Sequence, residues 1–206
     1  MTELPSNTID SAPKSYDCEL LRSIKVHNGF LSAFQTVQMK LFSFIDDCSQ
    51  NKRLFICGHS LGGALAVLTF LFLLLQPRPL LVHGIYTLGQ PKVGNTALGR
   101  FLVAYGHCKL QRVCNRGDLV PSLPPKRPYG FKPCGTLVFI KGSGELLYEP
   151  SEKELSTLRL QRLFKYGVND HRIANYVCQI LVYFFTLLNA NINIIFLDNI
   201  SQTQSR

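Results

Sequence analysis

The sequence predicts an α/β fold, a mostly parallel sheet flanked by helices. Short apolar runs bounded by Gly, Pro and Asn alternate with longer segments of helical period, the pattern of strand–helix–strand crossovers. One such run, Arg53 to Cys57, passes directly through Gly58-His59-Ser60-Leu61-Gly62 into an apolar helix over Ala64 to Leu75. The 206 residues, 46% of them apolar and 17% charged, suit one globular domain with a sizeable core.

Taken in order, residues 1–24 are polar, with Pro5, Pro13 and several serines, and are expected to form a disordered lead. Phe34, Val37, Leu41, Phe44 and Ile45 recur at helical spacing and predict a helix from about Phe30 to Cys48. After the Ser60 turn and its helix, Val82 to Leu88 reads as a second strand and Gly89 to Asn95 as a loop. Thr96 to Tyr105 is a short helix and Lys109 to Asn115 a third strand, followed by a Pro-rich loop from Pro121 to Pro133. Thr136 to Ile140 and Glu145 to Glu149 flank Lys141-Gly142-Ser143-Gly144 as a β-hairpin. Glu152 to Phe164 predicts a charged amphipathic helix, and a final apolar helix starts near His171. The domain is expected over residues 25–188, with a tail over 189–206.

The formal charge is +9, from 22 Lys and Arg against 13 Asp and Glu. That balance reads first as a solvated basic surface and second as one for an anionic partner, which a membrane or lipid-droplet surface would fit. Lys52-Arg53, Lys126-Arg127 and the bases between Arg159 and Lys165 are short groups without a zinc-finger or RNA-binding signature, so nucleic acid is not expected. The seven cysteines are odd in number and form no C-x-x-C, which predicts reduced thiols and a cytoplasmic location, peripheral to membranes at most. Residues 1–16 carry no apolar signal-peptide core. Ala64 to Leu75 is too short to span a bilayer, and Ile173 to Leu188 is interrupted by Asn175 and Gln179. A buried final helix is the preferred reading of the latter.

The Gly58-x-Ser60-x-Gly62 turn between strand and helix is the setting in which a serine becomes a nucleophile. Such a turn lifts the Ser60 hydroxyl above the sheet edge, and the Leu61 amide, at the helix start, faces a developing oxyanion. A serine needs an imidazole to take its proton, and the imidazole needs a carboxylate to hold its tautomer. Asp118 follows a strand end and His171 precedes the last helix, which gives the chain order Ser, Asp, His. Rivals are Asp170, Glu145 and Glu149 for the acid, and His59, His83 and His107 for the base.

Five segments in order resemble the class 3, fungal-type lipases, α/β-hydrolases. Val26-His27-Asn28-Gly29-Phe30 is similar to their V-H-x-G-F, and Gly58 to Ala66 to their serine turn. Thr87-Leu88-Gly89-Gln90-Pro91-Lys92-Val93-Gly94-Asn95 is similar to T-F-G-x-P-x-V-G-N. Arg112 to Pro125 resembles the aspartate segment, and Asp170-His171-Arg172-Ile173-Ala174-Asn175-Tyr176 the terminal D-H-x-x-x-x-Y. The resemblance implies hydrolysis of acylglycerols or related lipid esters through an acyl-enzyme. It implies Ser60 as nucleophile, Asp118 as orienting acid and His171 as base, with no metal or organic cofactor.

The family carries early strands, an R-G-[ST] turn donating a second oxyanion contact, and a lid before V-H-x-G-F. The residues before Val26 hold no R-G-[ST]. An N-terminally truncated domain without those strands and lid is therefore expected. It would have the Leu61 amide as its one assigned oxyanion donor and a nucleophile strand with an open edge prone to self-association. Losing one such donor costs about 10²–10³ in rate. The alternative to an active esterase is accordingly an impaired lipase-like protein with a binding or membrane-peripheral role.

Overall fold

The computed structural model describes residues 1–48, 52–77, 81–106, 109–141, 146–151, 153–155, 168–177 and 194–196. From the N-terminus, β1 (Thr2–Glu3), α1 (Ser6–Asp10), α2 (Cys18–Arg22) and β2 (Lys25–Val26) precede the long helix α3 (Asn28–Cys48). Then come β3 (Leu54–His59), α4 (Leu61–Leu74), β4 (Val82–Leu88), α5 (Thr96–Tyr105) and β5 (Lys109–Asn115). The hairpin strands β6 (Thr136–Ile140) and β7 (Leu146–Tyr148) follow, and β8 (Ile194–Phe196) closes the order.

The main sheet has the order β7-β6-β5-β4-β3-β8. Only β7 runs antiparallel, against β6; every other neighbouring pair is parallel. Because β3, β4 and β5 are adjacent in chain order, right-handed crossovers place α4 and α5 on the same face. β3 shows the two-faced burial this requires: Leu54, Ile56 and Gly58 are buried while Phe55, Cys57 and His59 are half-buried.

Helix α4 is apolar on all sides, and a helix of that kind is stable only when enclosed. It is enclosed: α3 covers it from outside, β3 and β4 lie beneath it, and Val67 to Leu74 are all buried. A fully buried Leu or Phe here stabilises the fold by about 1.5–3 kcal/mol. Among the described residues, no helix is long and apolar enough to cross a membrane.

Two expectations are corrected. The lead is ordered: Thr2 and Glu3 pair with Val26 and Lys25, and Leu4, Leu21 and Ile24 are buried in the main core. Its anchors are few and distant. Tyr16 donates its hydroxyl to Leu74 O, Asp17 N–H donates to the Tyr105 hydroxyl, and Asn95 holds both Lys25 N–H and Ser23 O. Polar composition alone therefore misled, because burial of three or four apolar side chains and long-range hydrogen bonds offset the ordering entropy.

The second correction concerns β3. Its outer edge is not open along its length, since Phe55, Ile56 and Cys57 pair in parallel with Ile194, Ile195 and Phe196. Of the expected helices over 152–164 and 171–188, helical residues are described only at 153–155 and 173–177. Residues 152, 156–164 and 178–188, and the 189–206 tail outside β8, lie outside the described residues.

Candidate active site

Ser60 occupies the turn between β3 and α4 with φ 54° and ψ −120°. A non-glycine residue held there is strained, and the surrounding structure must over-determine it. The cause is local. Ser60 N–H donates to Leu88 O of β4, and Ser60 O accepts from Gly63 N and Ala64 N. The turn also requires glycine at position 58, where a Cβ would stand 2.2 Å from the Gly62 carbonyl oxygen. Strand and helix thus approach closely enough to push the serine side chain up and out.

The structure brings the three sequence-selected side chains together at the C-terminal ends of β3 and β5. Ser60 Oγ lies 2.8 Å from His171 Nε2, and His171 Nδ1 lies 2.8 Å from Asp118 Oδ2. A carboxylate only accepts, so Nδ1 carries the imidazole proton and Nε2 offers its lone pair to the serine hydroxyl. Asp118 is fully buried and His171 is partly exposed. The arrangement can move a proton from Ser60 to His171 while Asp118 balances the resulting charge.

Clearance around this chain of hydrogen bonds is tight. Gly89 has φ +59°, and a Cβ there would stand 2.7 Å from Asp118 Oδ2 and 3.1 Å from the His171 ring. Glycine satisfies both demands at once.

Three residues support this hydrogen-bond chain: Tyr176 and Asn115, to which the sequence reading assigned no role, and His59, which it expected to pack beside the nucleophile. Tyr176 donates its hydroxyl to Asp118 Oδ2 at 2.6 Å and accepts from Asn115 N–H at 2.9 Å. Burial, then the neighbouring Cys114 and Asp118, push its pKa upward, so it stays a protonated donor. Asn115 Nδ2 donates to Asp170 O at 3.1 Å, which ties the end of β5 to the His171 loop. His59 donates from Nε2 to His171 O at 2.7 Å, and its ring lies 4.7 Å from the His171 ring. The other carboxylate oxygen, Asp118 Oδ1, accepts from Val120 N–H at 2.8 Å. Tyr176 was visible as the last letter of D-H-x-x-x-x-Y, but its partner lies 58 residues away.

The rivals other than His59 do not join this hydrogen-bond chain. Asp170 turns its carboxylate into the interior, where Oδ2 has no hydrogen-bond partner among the described residues. His83 sits near the start of β4 with its ring beside Phe55. Glu149 follows β7, and its N–H donates to Leu137 O of β6 at 2.8 Å. Glu145 and His107 lie outside the described residues. Leu61 opens α4, where the first amides have no intrahelical acceptor, and its side chain is exposed.

A largely parallel sheet with flanking helices, and a serine turn at a strand's C-terminal end, define an α/β-hydrolase. The sequence model of the family Lipase (class 3) matches residues 4–127, and the chain belongs to that family. It is 34% identical over 138 residues to a lipase of Rhizomucor miehei, covering 65% of this chain and 38% of that one. It is 31% identical over 156 residues to a secreted mono- and diacylglycerol lipase of Malassezia globosa, covering 73% of this chain and 50% of that one. In three dimensions it resembles a solved triacylglycerol lipase whose catalytic centre is described as formed by a serine protease triad. The TM-score is 0.60 at 28% identity, over 83% of this chain and 63% of that one. The chain thus spans half or less of the length of the two sequence relatives.

Proposed function

We propose that the chain is a serine carboxylic-ester hydrolase acting on acylglycerols or related lipid esters. Ser60 Oγ attacks the ester carbonyl as His171 Nε2 takes its proton, and the Leu61 N–H stabilises the oxyanion. The alcohol leaves with the proton from Nε2. Water then attacks the acyl-enzyme, giving its proton to His171, and the fatty acid departs as Ser60 regains its hydrogen. Asp118 holds the Nδ1–H tautomer and stabilises the imidazolium throughout.

The observation that carries this reading is the unbroken hydrogen-bond chain from Ser60 through His171 to Asp118. Support for a lipid ester comes from the printed names of the relatives and from the rim of the site. Leu61 and Leu119 directly follow Ser60 and Asp118, Ile173 lies two residues after His171, and all three side chains are exposed. Large apolar residues at such a rim suit an acyl chain better than a polar substrate.

Hydrolysis of a monoacylglycerol by the purified full chain tests the reading. Ser60→Ala and His171→Ala are each expected to lower the rate by about 10⁴ or more. Retention of the wild-type rate in folded Ser60→Ala would overturn it.

A further inference from the structure

The connection from β5 to β6 carries Pro121, Pro124, Pro125, Pro128 and Pro133 and forms a single 3-10 turn, Val120–Ser122, in place of a helix. Proline removes donors and blocks helix propagation, so this connection itself lays no helix over β5 and β6; Leu155, from the helical residues 153–155, packs there on Cys114 and Phe139. Among the described residues a groove of about 1260 Å³ is lined there by Leu110, Cys114, Phe139 and Leu155. Neither Ser60, Asp118 nor His171 lines it.

Its walls are basic. Among the described residues, Lys92, Arg100, Arg112, Lys126 and Lys132 line the groove, against one acid, Glu149. Two of the five are committed to the protein: Lys92 Nζ donates to Ser122 O and Pro124 O, and Arg112 donates to Gly135 O and Cys114 Sγ. Lys126 and Lys132 face each other. A hydrogen bond from Lys126, and then its like charge, holds Lys132 below the ordinary lysine pKa. Among the described residues, neither makes an ion pair with a carboxylate. Two lysine side chains brought together at the groove have, among the described residues, no carboxylate to offset their like charge.

The same loop distinguishes a bilayer from a soluble anion. Leu123 and Tyr129 bracket Lys126 and Arg127, and both are more than half exposed, as is Val103 across the groove on α5. Exposed apolar and aromatic side chains interleaved with bases are the composition of a surface that settles into the headgroup layer.

We propose that this groove docks the phosphate headgroup of an anionic membrane phospholipid between Lys126 and Lys132, with Leu123 and Tyr129 entering the interface beside it. The phosphate supplies the missing counter-charge, and the net charge of +9 favours approach to an anionic bilayer. Docking needs no ester hydrolysis and stands or falls apart from the role of Ser60.

Flotation of the full chain with phosphatidylcholine vesicles, with and without phosphatidic acid, tests the proposal. Wild type and Ser60→Ala should both float with the phosphatidic acid vesicles and not with phosphatidylcholine alone. Lys126→Gln/Lys132→Gln should weaken that binding about thirtyfold. Lys52→Gln/Arg53→Gln removes the same charge elsewhere and should change it less than about threefold. Leu123→Ser/Tyr129→Ser should also weaken it while leaving the charge intact. Equal loss in the two charge-removing variants would overturn the proposal by reducing it to net charge. So would binding of inorganic phosphate, read as a Lys126- and Lys132-dependent rise in melting temperature, without any association with vesicles.

Discussion

Tyr176 and His171 share one oxygen: the phenol donates to Asp118 Oδ2 at 2.6 Å and the imidazole Nδ1 meets the same atom at 2.8 Å. The phenol therefore draws negative charge away from the atom that faces the imidazole. Tyr176→Phe removes that donor and leaves Asn115 N–H without its acceptor. A hydrogen bond to a buried charge contributes about 1.5–3 kcal/mol, and a stability loss of that size is expected by urea denaturation. With its charge less shared, Asp118 favours the imidazolium more. The acid limb of the pH–rate profile should accordingly move to higher pH, which a packing defect alone would not produce.

Tyr176 also sets an alkaline limit. Its folded pKa is raised above the unfolded value near 10, so above that pH the unfolded chain loses a proton the folded chain retains. Its contribution is complete below pH 10 and declines as pH rises, by up to about 1.4 kcal/mol per pH unit. Urea midpoints measured from pH 9 to 11 should fall less steeply in Tyr176→Phe than in wild type.

Glycine substitutions separate the turn from ordinary helix. In Gly58→Ala the new methyl meets the Gly62 carbonyl at 2.2 Å, and a loss of at least about 3 kcal/mol is expected. Gly99, within α5, has open space, its nearest neighbour being Cys134 Cβ at 3.9 Å. Gly99→Ala should raise stability by about 0.5–1 kcal/mol through helix propensity. Thermal denaturation of the two variants gives both signs in one comparison.

Asn95 joins the lead to the body of the fold. Its Oδ1 accepts from Leu98 N–H, capping α5, and from Lys25 N–H, while Nδ2 donates to Ser23 O. Asn95→Ala should cost about 2 kcal/mol in all. It should also accelerate amide exchange over residues 1–26 more than in α4.

Thiol reactivity follows burial. Desolvation pushes the Cys57 thiol up to about 12, and Cys134 is also raised, first by burial, whereas Cys18 is exposed. At pH 8 iodoacetamide should label Cys18 well before Cys57 or Cys134, as read by peptide mass spectrometry.

Local pattern carried most of the parallel core into view. The ends of β4, α5 and β5 fall where Gly89, Asn95 and Arg116-Gly117 punctuate the apolar runs, because strand and helix periods and turn residues act over a few positions. The serine turn was legible for the same reason, its glycines being needed by a close approach within five residues. What escaped were features whose partners lie far along the chain. The lead depends on Tyr105 and Asn95, β8 is defined by pairing with Phe55 to Cys57, and Tyr176 acts through Asp118. No periodicity encodes such pairings. The groove was hidden likewise, since a Pro-rich loop reads only as a loop until the strands beside it are seen.

The central claim is that Ser60 is an activated nucleophile, and covalent labelling with a fluorophosphonate tests it most directly. Its serine oxygen would displace fluoride from phosphorus, leaving a mass increment on the peptide that contains residue 60. The account predicts stoichiometric labelling at Ser60 that is lost in Ser60→Ala and His171→Ala and slowed in Asp118→Asn. A folded wild-type protein that stays unlabelled, or labels equally after His171→Ala, would contradict it.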